Sequence, residues 1–132
     1  MKDLIGTDGK IHTIRFKKTI NSNPSKLHTE AKILINKLFP LNVLVEEFLI
    51  PGGKKLFLDF LLPERNLAIE VHGEQHYKFN PHFYKSKYDF IKAKYRDNLK
   101  IDFCETNKIV LVELPFNKIS DWEQIIYDKC YS

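Results

Sequence analysis

Two carboxylates, Asp59 and Glu70, stand at matching positions in a segment that reads as a β-hairpin. Leu56 to Leu62 is apolar except for Asp59, Pro63-Glu64-Arg65-Asn66 supplies turn chemistry, and Leu67 to His72 alternates again. With those four residues as the loop, Leu62 faces Leu67. Counting outward puts Asp59 opposite Glu70, with both side chains on one face and Cβ atoms roughly 5 Å apart. Carboxylates that close repel, so either they share a proton or a cation lies between them, and hard divalent ions such as Mg²⁺ favour such oxygen ligands. A sheet-edge charge or a lysine salt bridge accounts for either residue taken singly. It accounts less well for two facing each other among Leu, Phe, Ala, Ile and Val, where an unpaired buried carboxylate shifts its pKa or destabilises the fold.

Glu70 opens the string Glu70-Val71-His72-Gly73-Glu74-Gln75-His76. His72 shares Glu70's face of the strand, where an imidazole can orient a water or act as acid or base; a satisfied polar histidine is the plainer alternative. Gly73 ends the strand so that Gln75 and His76 can curl back over the site. His72 and His76 have the spacing of helical metal ligands, and Cys104 could join them, but Gly73 and the preceding strand argue against a helix there and so against zinc. Glu30 lies in the first turns of the first helix, where a capping or dipole-stabilising role is the default. Asp97 and Lys100 read equally as a surface charge pair or a phosphate-facing edge.

The elements that position these residues follow from periodicity. Residues 1–22 contain Thr7-Asp8-Gly9-Lys10 between short apolar stretches and predict a small N-terminal hairpin or extension, ahead of a domain over residues 23–132. Asn23-Pro24-Ser25 supplies an N-cap, and Leu27, Ala31, Leu34, Ile35 and Leu38 follow at helical spacing, predicting a helix from about Ser25 to Phe39 before Pro40 stops it. Strands are expected over Asn42–Ile50, Lys55–Leu62 and Leu67–His72, an antiparallel meander with a turn at Pro51-Gly52-Gly53-Lys54. After Pro81, Phe83, Tyr84, Tyr88, Ile91, Tyr95, Leu99 and Phe103 recur every three or four residues to about Asn107. That spacing predicts an amphipathic helix whose aromatic seam is core rather than a base-stacking platform. A strand over Lys108–Leu114 and a helix capped at Ser120 or Asp121, with Trp122, Ile125 and Ile126 inward, close the chain.

The 132 residues fit one domain, and 43% hydrophobic content is ordinary for a globular protein. A formal charge of +4 leans toward a polyanionic partner. Lys54 and Lys55 fall on the turn leading into the Asp59 strand, while Lys85, Lys87, Lys92, Lys94, Arg96 and Lys100 crowd one later segment. Cys104 and Cys130 have no CxxC spacing and predict two buried thiols. No apolar run approaches the roughly 20 residues of a membrane span, and Met1-Lys2-Asp3-Leu4 lacks the apolar stretch of a signal peptide, so a soluble, cytoplasmic protein is expected with no membrane partner.

Leu58-Asp59-Phe60-Leu61-Leu62-Pro63 followed by Leu67 to His76 resembles the PD-(D/E)XK nuclease superfamily, in its very-short-patch repair endonuclease-like branch. The likeness lies in the Asp-Phe strand, the hairpin length, the apolar strand ending in His-Gly, and a His shortly beyond. It extends to a first-helix Glu in Thr29-Glu30-Ala31, an Arg-Asp-x-x-Lys stretch at Arg96, Asp97 and Lys100, and a further strand and helix, covering roughly residues 25 to 130.

The resemblance implies a single-domain restriction-endonuclease-like α/β fold of order α-β-β-β-α-β-α and a metal-dependent DNA endonuclease. In it Asp59, Glu70 and the Val71 carbonyl hold Mg²⁺, with Mn²⁺ an alternative, and Glu30 completes the acidic cluster. The superfamily's lysine two residues beyond the acidic ligand is His72 here, so His72, Gln75, His76 or a migrated Lys100 are the candidates for its role. Lys54, Lys55, Lys87, Lys94, Arg96 and Lys100 are expected to hold DNA, with a homodimer or an accessory protein completing specificity. A catalytically silent nuclease-fold module binding nucleic acid or protein, and an RNA-processing nuclease, are the alternatives.

Overall fold

The computed structural model describes residues 1–73, 81 and 84–131. Two short strands, β1 (Lys2–Ile5) and β2 (Ile11–Ile14), pair across Thr7-Asp8-Gly9-Lys10 as an antiparallel hairpin. Gly9 takes a φ of +77° there, which costs a glycine nothing. Helix α1 (Lys26–Leu38) starts where the Ser25 side chain accepts the His28 N–H and stops before Pro40. Then come β3 (Val45–Leu49), β4 (Phe57–Leu62), β5 (Leu67–His72), α2 (Lys87–Thr106), β6 (Val110–Pro115) and α3 (Trp122–Tyr131). The four longer strands form one sheet in the order β3-β4-β5-β6, antiparallel except for the parallel β5–β6 pair. The architecture is mixed α/β with a separate small hairpin.

The sheet separates two apolar layers. Ala31 and Ile35 of α1 and Trp122 and Ile126 of α3 pack on one face with Phe60, Leu62, Leu67, Ile69, Val112 and Leu114. Phe103 and Cys104 of α2 and Leu4 of the hairpin pack on the other with Val45, Phe48, Leu58, Leu61 and Ala68. The hairpin is therefore tied to the sheet, and Thr7 N–H donates to the Pro51 carbonyl in the β3–β4 turn.

Strand alternation fails at two matched places. In β4, Phe60 and Leu62 face the α1 layer and Leu61 the α2 layer, yet Leu58, two residues before Phe60, also faces the α2 layer. In β3, Val45 and Phe48, three residues apart, both face the α2 layer. Each strand thus changes face once, at Asp59 and at Glu47. Pairing runs through Glu46↔Phe60 and resumes at Phe48↔Leu58, so the register is kept while Glu47 and Asp59 drop out of it. Glu47 carries the strain of the slip at φ +53°, a conformation that costs an L-residue roughly 1–2 kcal/mol.

Helix α2 differs from its sequence reading in extent and packing. It begins at Lys87, capped by Ser86, and ends in a Schellman turn: Lys108 sits at φ +57°, and Ile109 N–H reaches the Cys104 carbonyl at 2.8 Å. Only Phe103 and Cys104 of this helix are buried. Tyr88, Ile91 and Tyr95 are 67%, 62% and 59% exposed, so the aromatic seam is core only toward its C-terminal end. The sheet supports only the last turns of this 20-residue helix, so the seam predicted as core is not buried along most of its length. Phe83 lies outside the described residues. Cys104 is buried as expected, whereas Cys130 is only half-buried, and both thiols are free. Among the described residues no helix is long and apolar enough to cross a membrane.

Candidate active site

The β4–β5 hairpin carries the pair of carboxylates. Leu62↔Leu67, Leu61↔Ala68 and Phe60↔Ile69 are in register as counted from the turn, and the ladder ends there. One step further the side chains replace the backbone partners. Asp59 N–H donates to Glu70 Oε2 at 2.8 Å, and Val71 N–H donates to Asp59 Oδ2 at 2.8 Å. Asp59 thus sits where β4 leaves its ladder on both sides, opposite Glu47 of β3 and Glu70 of β5.

Lys100 of α2 reaches in from the α2 layer and places its ammonium 2.9 Å from Glu70 Oε1. Burial pushes the Glu70 carboxyl up to about 7, reinforced by the Asp59 charge and opposed by Lys100. Burial also raises Asp59, against the Val71 N–H and Glu70 contacts that favour its ionised form. For Lys100, burial works against the ammonium, but Glu70 outweighs it and the pKa is raised. Near neutrality the cluster therefore holds two adjacent carboxyls, one lysine charge and a readily exchanged proton.

A cavity of about 430 Å³ opens over this cluster, lined by Asp59, Glu70, Val71, Gly73 and Lys100 together with Asn21, Ser25, Leu27, His28 and Glu47. His28 and Glu47 were not anticipated from the sequence. His28, in the first turn of α1 and only 5% exposed, stacks on Phe60 with ring centroids 4.2 Å apart. Its Nε2 lies 2.8 Å from Glu46 Oε1, and Lys32 Nζ lies 2.9 Å from Glu46 Oε2. Although burial opposes it, these two partners hold the Glu46 carboxyl below its ordinary value. Glu47 accepts from Asn21 Nδ2 at 3.1 Å. One ligand atom from each of His28, Glu47 and Asp59 lies within 4.8 Å of the others. The available signal was Glu46-Glu47, two charges inside the apolar run Val43 to Ile50, the same anomaly that singles out Asp59.

Replacing Glu46 by Ala is expected to lower stability by roughly 2–3 kcal/mol, because His28 and Lys32 both lose a charged acceptor. A urea midpoint shift at unchanged m measures it, and an unaltered midpoint would show the contact to be inert.

The remaining expected site residues fall in different places. Glu30 is exposed and is not among the residues lining this cavity. The buried stripe of α1 runs through His28, Ala31 and Ile35, and 100° per residue turns Glu30 away from it. His72 lines a second cavity of about 260 Å³ with Glu70, Lys94, Asp97, Lys100 and Glu113, its Nδ1 3.4 Å from Glu113 Oε2. Lys94 and Lys100 line that cavity, whereas Lys54, Lys55, Lys87 and Arg96 are exposed. The Lys54 ammonium lies 5.7 Å from the centre of the Tyr95 ring, linking the β3–β4 turn to α2. Gln75 and His76 lie outside the described residues.

No protein-family model matches the chain, and no solved structure does. It is similar to two curated viral proteins. One is "Uncharacterized protein 307L" of Invertebrate iridescent virus 6, 40% identical over 78 residues, 59% of this chain. The other is "Uncharacterized protein 033L" of Invertebrate iridescent virus 3, 38% identical over 76 residues, 57% of this chain. In each case the aligned part spans 39% of the viral protein, so the chain matches about two fifths of the length of these relatives.

Proposed function

We propose that the protein is a divalent-cation-dependent phosphodiester hydrolase acting on DNA, an endonuclease of restriction-endonuclease-like fold. One observation carries this reading: Asp59 and Glu70 converge beside Lys100 in an open cavity, at the point where β4 leaves its ladders. The donor set suits a cation, since carboxylate oxygens and a histidine nitrogen lie within reach of one another. A bound divalent ion would polarise the scissile phosphate and lower the pKa of a water on it.

The chain's own groups supply the rest. Lys100 compensates charge at Glu70, and its ammonium is available to a phosphate oxygen when Glu70 is protonated. With a pKa near 7, Glu70 can take up and release a proton at the pH of the reaction. His72 and Glu113 face the second cavity from neighbouring strands, on the α2 side of Glu70. Lys54, Lys55, Lys87 and Arg96 suit phosphate contacts, and the exposed rings of Tyr88 and Tyr95 offer stacking surfaces on the helix that carries Lys87 and Arg96.

Plasmid, linear duplex, single-stranded DNA and RNA incubated side by side with Mg²⁺, Mn²⁺ or EDTA test the proposal. Strand cleavage of DNA is expected with either cation and none in EDTA. Cleavage that persists in EDTA, or none in any condition, overturns it, and preferential cutting of RNA reassigns the substrate. Raising salt from 50 to 200 mM is expected to weaken DNA binding at least tenfold, and an unchanged affinity would separate the basic residues from DNA.

One observation favours the alternative of a binding module without turnover. Both Glu70 oxygens already have protein donors, Lys100 and the Asp59 N–H. DNA binding that ignores cations and yields no product is the result that would select it.

A further inference from the structure

We infer that the cation in this cleft is held by His28, Glu47 and Asp59 rather than between Asp59 and Glu70, and that the site prefers Mn²⁺-class ions to Mg²⁺. The inference rests on the proposed cation dependence and specifies its ligands. At Glu70 a cation would meet the Lys100 ammonium, which already lies 2.9 Å from Oε1, while Oε2 accepts the Asp59 N–H. A cation there would have to displace a lysine charge. Asp59 accepts the Val71 N–H through Oδ2.

His28 supplies the nitrogen. Nε2 is engaged by Glu46, which fixes the proton there when the ring is neutral and puts the lone pair on Nδ1. Nδ1 makes no hydrogen bond, and among the described residues no fully buried side-chain nitrogen or oxygen lacks a partner. On a side chain only 5% exposed, Nδ1 must therefore reach the open wall of the cavity that His28 lines. A carboxylate behind a histidine, orienting the ring and raising its basicity, is the usual support of a metal-binding imidazole.

Glu47 supplies the third ligand, from a backbone conformation that glycine would adopt without strain. Its carboxylate adds a second negative charge to that of Asp59 within 4.8 Å, while the Lys100 charge is spent on Glu70. A nitrogen and two carboxylate oxygens form a donor set that Mn²⁺, Co²⁺ and Zn²⁺ accept more readily than Mg²⁺, which favours oxygen alone.

Calorimetric titration of the intact protein with MnCl₂, CoCl₂ and MgCl₂ tests this without reference to cleavage. Mn²⁺ and Co²⁺ are expected to bind at least tenfold more tightly than Mg²⁺. Glu47→Gly and His28→Gln should each weaken Mn²⁺ binding about tenfold or more, and Glu70→Gln by less than about threefold. Because glycine relieves the strain at position 47, loss of binding in Glu47→Gly comes with an unchanged or higher melting temperature. Mn²⁺ should also broaden the His28 ring resonances before those of His12. Equal affinity for Mg²⁺ and Mn²⁺, no binding of any ion, or Mn²⁺ binding lost in Glu70→Gln but kept in Glu47→Gly would overturn the inference. Tight Mn²⁺ binding through His28 and Glu47 in a protein that cuts nothing would instead leave it standing and remove the hydrolase.

Discussion

Asp59→Asn is expected to lower cation-dependent DNA cleavage by on the order of 10²–10³-fold, the scale on which removing one electrostatic stabiliser acts. Asp59 is the one residue common to both candidate ligand sets, the Asp59–Glu70 pair and the His28–Glu47–Asp59 group. The substitution is mild for the fold, since the Asn side-chain carbonyl can still accept the Val71 N–H. Removing one of two adjacent carboxylates also removes repulsion, so the stability read from urea unfolding should change by less than about 1 kcal/mol. Cleavage retained in a folded Asp59→Asn protein would sink the assignment of this cleft as the active site.

Lys100→Met carries the largest expected effect on stability, and the effect depends on pH. At pH 8 the wild-type protein buries an ionised Glu70 against Lys100, and without the lysine that charge has no cation; about 3 kcal/mol is the expected loss. At pH 5 Glu70 already carries its proton in the folded protein, and the loss should fall below about 1 kcal/mol. The direction follows from the pKa values. Glu70 lies at about 7 when folded against an ordinary 4.5, so its contribution favours the fold below pH 4.5 and is lost as the pH rises through 7. Lys100 keeps its proton throughout this range, but its pKa is raised chiefly by the Glu70 charge, so what the pair contributes fades as Glu70 takes up its proton. Urea midpoints at pH 5 and pH 8 decide the matter, with Lys100→Met/Glu70→Gln expected to recover most of the loss at pH 8. An equal loss at both values would show that Lys100 acts through packing.

The β4–β5 hairpin was legible because its turn fixed its register. Pro63 to Asn66 left a loop of one length, and Leu62↔Leu67 followed. Helix α1 was equally plain, between the Ser25 cap and Pro40. Glu47 was hidden for a physical reason. Reasoning along a strand assumes that side chains alternate faces, and β3 and β4 each break that rule once. The residue types at Thr29-Glu30-Ala31 do not show which way Glu30 turns, whereas the spacing of Ala31 and Ile35 puts it off the buried stripe. The exposed rings of α2 show the complementary limit: period specifies which residues share a face, and only tertiary structure decides how far along the helix that face is covered.

The matched slip of β3 and β4 has a consequence for how this protein can change. Glu47 and Asp59 stand at the seam where both strands pass from one apolar layer to the other, and neither residue is a member of either layer. Exchanging their side chains alters charge and ligand chemistry while the two cores remain packed. Inserting or deleting a residue in one strand alone would instead turn half of that strand inside out. Variation at the seam is therefore open to substitution and closed to changes in length.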